Sequence, residues 1–553
     1  MRGYVFLHWS AADPVGQRMG RALRDQARLN GYRRVHADGT SWVGVRGPRP
    51  PGAYRPRSDC LVIGEVHIHP DASQGAPPLQ PDLEVARWYC ENRWGRYVIL
   101  FRQPDGAVRS IFRDPSGALA AFHWRTGRVQ IIASDTPDWL MAAARPTIVF
   151  DWGRIHEIMA APYADPGSPA LRGLEAVEPG ALHAVDGCSV ALWSPEALAA
   201  RPFRDERAAT AQLRRRLDAC VAALSDGACL GVELSGGLDS SIVGGALRAI
   251  GRTPRLALNT RAGQRETDET VFAQAVAERL GVALTQRFRS ETPYSAGAFE
   301  ATAGDPLPSQ NGRDLDNDRT VAQACRAAGI DTLMTGKGGD ALFFQMHTPL
   351  AFADLWWDRP VRSLFSAHLP GVARWTRTST WSLIRTAQSH RRDGGPAALA
   401  PAKRLQVAAI AGGQAYYSPC LRTEVVDMVH PLMAQPLVEW ALRTPVPMLV
   451  AGGRERGLAR AAFADRLPAA VADRRGKGDY AACFNRQAAR NLPFLRSYLL
   501  DGRLAAQGVL DRARMEARLD VDALRWTGGA PEVLAAVSLE AWVRRWEARQ
   551  AGV

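Results

Sequence analysis

The chain has 553 residues, 46% of them apolar, a formal charge of +13 and a sequence pI near 9.7. That length predicts two domains or three, and the apolar share supports full cores and excludes a disordered chain. No apolar run approaches the roughly 18 residues of a membrane-spanning helix, and Met1–His8 is too short an apolar stretch for a signal peptide. Eight cysteines without a Cys-x-x-Cys pair argue against a zinc site or a disulfide framework and for a cytoplasmic protein. The positive excess is mostly Arg, scattered without a run of five or more basic residues, which predicts a solvated surface and no nucleic acid partner.

Residues 1 to about 195 read as β-rich. Tyr4–Trp9, Cys60–His69 and Arg96–Arg102 are candidate strands. Asp105-Gly106 is a hairpin signal before Val108–Arg113, and Asp114–Gly117 is a second turn before Leu119–Trp124. Val129–Asp135 closes the series, and strands at this spacing predict sheet-on-sheet layers. His67 and His69 share a strand face, but no third ligand lies near them in the sequence, so packing is expected there rather than a metal.

Trp193–Asp205 is polar and Pro-containing, a linker between a first domain of residues 1–195 and a second of 205–553. Leu213, Leu217, Val221 and Leu224 recur at helical spacing across Ala209–Ser225. Strand–helix alternation follows: strands at Cys229–Leu234, Pro254–Asn259, Ala283–Phe288 and Asp331–Thr335, with helices after Ser241 and over Asp268–Leu280 and Asp318–Ala328. This predicts a parallel α/β sheet whose ligands bind beyond the carboxyl ends of its strands. Beyond residue 350 the pattern turns helical and rich in Trp and Arg.

The first of these strands runs into Ser235-Gly236-Gly237-Leu238-Asp239-Ser240-Ser241 and then a helix. Backbone N–H groups and the positive end of the helix dipole converge on such a loop, and glycines let it approach a phosphate closely. Asp239 would repel a phosphate unless a cation lay between, which makes it a candidate Mg²⁺ ligand. Gly336-Lys337-Gly338-Gly339-Asp340 follows the fourth strand. Asp340 there is either a second Mg²⁺ carboxylate or the cap of the helix that follows, and the two roles are compatible. Lys477, between two glycines in a basic turn, is placed to reach a phosphate site.

Neither a Walker-type loop nor a dinucleotide fingerprint is present. Ser-Gly-Gly-Leu-Asp-Ser-Ser instead resembles the PP-loop of ATP pyrophosphatases, which split ATP between the α and β phosphates. In the first half, Trp94–Tyr97, Arg113–Gly117, Ala133–Asp135 and Val177–Gly180 look like landmarks of the glutamine amidotransferase domain of asparagine synthetases. With the Gly-Gly-Asp loop, Pro431-Leu432…Gln435-Pro436-Leu437-Val438-Glu439 and Arg474-Arg475-Gly476-Lys477-Gly478, the order resembles the asparagine synthetase superfamily over nearly the whole chain. The implied fold is an α+β, degenerate N-terminal-nucleophile (Ntn-type) sandwich, followed by an α/β PP-loop domain with a HUP-like parallel sheet and a helical C-terminal part. In the family the amidotransferase catalyst is a Cys exposed after Met removal. Arg2 follows Met1 here, so glutamine hydrolysis is not expected.

The resemblance implies ATP and Mg²⁺ as cofactors. Leu234, Ser235, Gly236, Gly237, Asp239, Ser240, Leu258, Thr335 and Gly336 match nucleotide and pyrophosphate positions, Asp239 and Asp340 the metal carboxylates, and Lys477 the lysine that stabilises acyl transfer. Lys337 stands where asparagine synthetases carry Glu and β-lactam synthetases Tyr. The Gly-Gly-Asp-x-x-Phe and Pro-Leu-x-x-Gln-Pro patterns are most like lasso peptide macrolactam synthetases. These adenylate an Asp or Glu side chain of a ribosomal precursor peptide for attack by its N-terminal amine. The family also implies a leader peptidase and a leader-recognition partner. A β-lactam synthetase-like or asparagine synthetase-like amidoligase is the alternative; a PP-loop tRNA-modifying enzyme is a more distant one, and a peptide-binding scaffold without catalysis stands outside the enzyme class.

Overall fold

The computed structural model describes residues 2–73, 75–162, 167, 169–261, 269–289, 292–390, 399–474, 481–526 and 529–552. Along the strand Cys60–Ile68, side chains alternate between two apolar layers. Leu61 and Ile63 pack with Tyr4, Phe6, Val43, Val98 and Leu100, whereas Cys60 and Val62 pack with Val85, Tyr89 and Phe112. A strand covered on both faces has no polar side to show, which is why this half reads as continuous apolar runs.

Two antiparallel six-stranded sheets result. One runs in the order 175–176, 122–126, 129–133, 3–9, 41–46, 33–37; the other 189–191, 181–184, 108–113, 93–102, 60–68, 53–57. The helix Asp82–Asn92 covers the outer face of the second sheet. The helix Pro14–Leu29 packs on the outer face of the first, with Val5, Leu7 and Trp9. The layers are therefore helix, sheet, sheet, helix. The strand expected at Leu119–Trp124 is found at Phe122–Thr126, and neither helix is evident as a break in the β-rich pattern. The first begins at Asp13, whose carboxylate accepts the Val15 N–H, with Pro14 at the first helical position.

The second half holds a five-stranded sheet, parallel throughout, in the order 284–288, 256–261, 230–233, 332–334, 427–429. The four expected strands are present with ends shifted by one or two residues. The fifth, Asp427–Val429, lies in a stretch read as helical; three residues are too few for a periodicity to show. The helices Glu206–Ser225, Leu238–Ala249 and Thr270–Leu280 cover one face, and Leu315–Ala328 covers the other. From the central strand the chain moves outward to 256–261 and 284–288, then returns to 332–334 on the other side. That reversal leaves a crevice at the carboxyl ends of strands 230–233 and 332–334.

The two halves are not joined by a loose tether. Pro195–Ala199 is helical, Phe203 is buried and Trp193 Nε1 donates to Glu439 Oε1 at 3.1 Å. The C-terminal helix Ala530–Gln550 places Trp542 and Trp546 in one apolar cluster with Val5, Leu7 and Trp9 of the first sheet. Between the halves lies a buried charge network. Arg96 makes two hydrogen bonds to Asp427, at 3.0 and 2.9 Å, and two to Glu65, at 2.7 and 3.3 Å. Arg2 reaches the same two carboxylates at 3.0 and 3.3 Å. His69 is likewise committed, to Glu439 at 3.2 Å, and the His67 ring packs tilted against Trp94. Among the described residues no group of three or more metal-ligating side chains occurs.

Removing one partner of a buried ion pair leaves the other desolvated, a cost of about 3–5 kcal/mol. Asp427→Ala should therefore lower the thermal unfolding midpoint clearly, whereas Asp138→Ala, whose carboxylate is 61% exposed in its pairs with Arg545 and Arg549, should barely move it. Calorimetric scans of the two variants check this.

Candidate functional site

The crevice is floored by the loop after Glu233. Leu234 N–H donates to Leu258 O at 2.8 Å, and the buried Asn259 amide donates to Leu234 O at 2.6 Å, so the neighbouring strand fixes the root of the loop. Leu258 is itself fully buried, in the apolar layer with Val321 and Leu333. Its carbonyl anchors the root of the loop.

Gly236 sits at φ +83°, a conformation that favours glycine, and a Cβ there would lie 2.5 Å from Glu269 O. Its carbonyl accepts from Arg474 Nη1 at 3.2 Å, while Arg474 Nη2 pairs with Glu269 at 2.6 Å. Ser235 and Ser240 share a hydrogen bond at 3.1 Å, and Ser241 Oγ donates to Gly237 O at 2.7 Å. Gly237 is the N-cap of the helix Leu238–Ala249 and offers no side-chain acceptor. No side chain caps that helix N-terminus, and the dipole makes an anion the favoured ligand beside it.

The Gly336–Asp340 loop packs directly on this one. A Cβ on Gly336 would lie 2.3 Å from Ser240 N, and one on Gly339 would lie 2.4 Å from Asp239 Cγ. Only glycines permit that approach. Thr335 is buried, its hydroxyl 2.8 Å from His430 Nδ1 and accepting the Lys337 N–H at 3.1 Å. Burial holds His430 well below its ordinary pKa, so the ring is neutral there.

Asp239 and Asp340 are brought together as expected. A residue that the sequence reading did not single out joins them: Arg456 Nη1 lies 3.0 Å from Asp239 Oδ2 and 3.6 Å from Asp340 Oδ1. Arg456 is buried and takes a left-handed backbone, φ +53°, ahead of the helix Gly457–Phe463. Burial pulls its pKa down, but Asp239, Glu455 and Asp340 more than offset this and raise it. The sequence signal was only its setting, Gly453-Arg454-Glu455-Arg456-Gly457. Asp340 is not a helix cap: the short helix Gly339–Leu342 has Gly338 as N-cap, and the Asp340 side chain is 61% exposed. Lys477 lies outside the described residues.

Two carboxylates meeting at one cation, beside an open helix N-terminus, fit Mg²⁺, which takes one or two carboxylates and completes its shell with phosphate oxygens and water. Asp239 and Asp340 are the residues that would hold it.

Behind the Gly336–Asp340 loop opens a pocket of about 680 Å³ lined by Glu233, Asn311, Arg313, Lys337, Tyr416 and Arg422, among others. Lys337 projects into it from the loop. Its Nζ donates to Asn311 Oδ1 at 3.1 Å and lies 4.9 Å from the centre of the Tyr416 ring. Burial, and then Arg422 nearby, push the Lys337 pKa down to about 8.

Comparison with known families gives one match: the family described as asparagine synthase matches residues 212–544. No curated protein matches the sequence. Among solved structures, the chain is similar to glutamine phosphoribosylpyrophosphate amidotransferase from B. subtilis complexed with ADP and GMP, at 10% identity and a TM-score of 0.20, covering 61% of this chain and 81% of that one. It is also similar to a structure of the allosteric regulatory enzyme of purine biosynthesis, at 11% identity and a TM-score of 0.19, covering 60% of this chain and 83% of that one.

Asp340 is exposed enough to be neutralised without damage to the fold. Asp340→Asn should leave the unfolding midpoint in place and weaken binding of a magnesium–nucleoside triphosphate by about tenfold or more, read by titration calorimetry. An unchanged affinity would remove Asp340 from the cation site.

Proposed function

The chain belongs to the asparagine synthase family, and from that premise we propose that it is a lasso peptide macrolactam synthetase. In this reading it consumes MgATP to join an Asp or Glu side chain of a precursor peptide to the peptide's own N-terminal amine. The observation that carries the reading is the pocket of about 680 Å³ that opens behind the Gly336–Asp340 loop and is lined by Glu233 and Lys337. It lies within the roughly 300–1,000 Å³ of sites for drug-sized ligands, more than a free amino acid needs, and suits a folded peptide segment.

The chemistry assigned to the crevice is two displacements. A substrate carboxylate attacks the α-phosphorus of ATP, giving an acyl-AMP and pyrophosphate. An amine then attacks the acyl carbon, and AMP leaves. The helix N-terminus at Leu238 and the hydroxyls of Ser235 and Ser240 supply the pyrophosphate cradle. Asp239 and Asp340 would hold Mg²⁺, which neutralises phosphate charge when bound. Arg456 lies within reach of the same carboxylates and keeps them oriented. Lys477 keeps its proposed role of stabilising the oxyanion of the tetrahedral adduct.

The helix–sheet–sheet–helix layers of the first half suit a degenerate amidotransferase fold retained as scaffold, and the parallel sheet suits a PP-loop domain. Within the sandwich, Arg2 is committed to Glu65 and Asp427. Many of the Arg side chains are held in intramolecular pairs such as Arg96–Asp427, Arg214–Asp465, Arg422–Asp318 and Arg466–Asp218. This favours a peptide over nucleic acid as partner. The proposed setting is cytoplasmic, with a leader peptidase supplying the free N-terminus. No helix among the described residues is long and apolar enough to cross a membrane.

Incubation with MgATP and a leaderless peptide bearing Asp or Glu near its N-terminus should release AMP and pyrophosphate and give a product lighter by one water. Asp239→Ala should abolish both. Release of ADP, or transfer to tRNA, would sink the reading. Lys477→Ala should retain pyrophosphate release and lose ring closure; unimpaired closure would remove Lys477 from the mechanism.

A further inference from the structure

Glu233 ends the central strand of the parallel sheet, two residues before Ser235. Val232 and Leu234, on either side of it, point into the apolar layer beneath the helix Leu238–Ala249. The strand's alternation turns Glu233 to the opposite face, where it lines the pocket beside Lys337 and Arg422. An aliphatic side chain would fill this half-buried position at no electrostatic cost; a carboxylate must be compensated.

The nearby cations do not compensate it by contact. Lys337 and Arg422 both feel the Glu233 charge, yet Lys337 Nζ is held by Asn311 and the Tyr416 ring. Arg422 Nε is committed to Asp318 at 2.7 Å. Of the other charged lining groups, Arg154 pairs with Glu157, Asp314 pairs with Arg289, and Arg313 lies over the Phe484 ring. Among the described residues, Glu233 makes no side-chain hydrogen bond or ion pair.

We propose that Glu233 is the docking carboxylate for the ammonium group of the amine substrate. The proposal rests on the ligase reading above and adds which residue receives the acceptor. Two residues of strand, about 7 Å, separate it from the phosphate loop, so an amine docked there lies beside the activated acyl carbon. The docked ammonium gives up one proton to bulk water. Its nitrogen lone pair then attacks the acyl carbon and the C–N bond forms. The carbon–oxygen bond to phosphate breaks, AMP leaves with that electron pair, and the nitrogen loses a second proton to water. Glu233 is a specificity-determining residue in this step, since it selects a cationic amine over a neutral one.

The test separates the acceptor from the donor. The full-length protein is given MgATP and a leaderless peptide with an acetylated N-terminus, so that the amine must be supplied externally. Two amines are compared at pH 7: glycinamide, largely cationic below an α-amine pKa of about 8, and hydroxylamine, which is uncharged. Glu233→Gln should raise the KM for glycinamide about tenfold or more relative to the KM for hydroxylamine. Glu233→Asp, which keeps the charge, should recover part of that loss. The gap should narrow at pH 9, where glycinamide is largely neutral. An unchanged KM ratio, with ATP–pyrophosphate exchange intact, overturns the role of Glu233 alone. Absence of peptide-dependent exchange in the unmodified protein overturns the ligase reading, and this inference with it.

Discussion

Two carboxylates from different loops, Asp239 and Asp340, converge on one guanidinium nitrogen of Arg456. Like charges so close repel unless a cation lies between them. The rest of the crevice follows from holding them there. Asp239 must sit in the first turn of the helix Leu238–Ala249, which places it at the positive end of the dipole. Gly339 must have no side chain, because Asp239 fills the space a Cβ would take. Arg456 must adopt a left-handed backbone to reach in from a third segment. The arrangement holds fixed charge of both signs in place, so that a ligand would meet preorganised partners.

The sheet topology makes this convergence possible. Strands 230–233 and 332–334 are hydrogen-bonded neighbours although about a hundred residues of chain lie between them. The reversal of strand order at that pair separates the helices on the two faces and opens the crevice. The pocket that carries Glu233 and Lys337 lies on the face of the helix Leu315–Ala328, whereas the phosphate loop turns into the helix on the other face. A strand end can serve both faces because successive side chains point opposite ways, and this puts the pocket next to the Ser235–Ser241 loop without either blocking the other.

The first half contributes by contact rather than by a reacting group in the crevice. Its sheet shares an apolar cluster with the C-terminal helix Ala530–Gln550, and its Arg96, also bonded to Glu65, meets Asp427 at the edge strand of the parallel sheet. That strand leads to His430, which fixes Thr335 at the root of the Gly336–Asp340 loop. A continuous line of buried polar contacts thus runs from the sandwich to the crevice, each one costly to break because its partners are desolvated.

Much of this was legible in the sequence. The Ser235–Ser241 loop between an apolar strand and a small-residue helix states its anion chemistry locally, since N–H groups, glycine freedom and the dipole all belong to consecutive residues. The strand–helix alternation likewise implies a parallel sheet, and the pairing of Asp239 with Asp340 follows from strand ends lying on one edge. What only the tertiary structure decided is long-range. The short strand Asp427–Val429 is formed by its pairing with Thr332–Met334, because three residues carry no periodicity of their own. Arg456 looks like any surface Arg in the sequence; its role comes from being buried against two carboxylates more than a hundred residues away. Glu233 reads as one polar residue in a strand, and only the commitment of Lys337 to Asn311 and of Arg422 to Asp318 leaves its charge for a ligand. Local backbone preference and spacing were enough to place the Ser235–Ser241 loop between its strand and its helix; which charges remain available beside it depends on how the neighbouring charges are already paired.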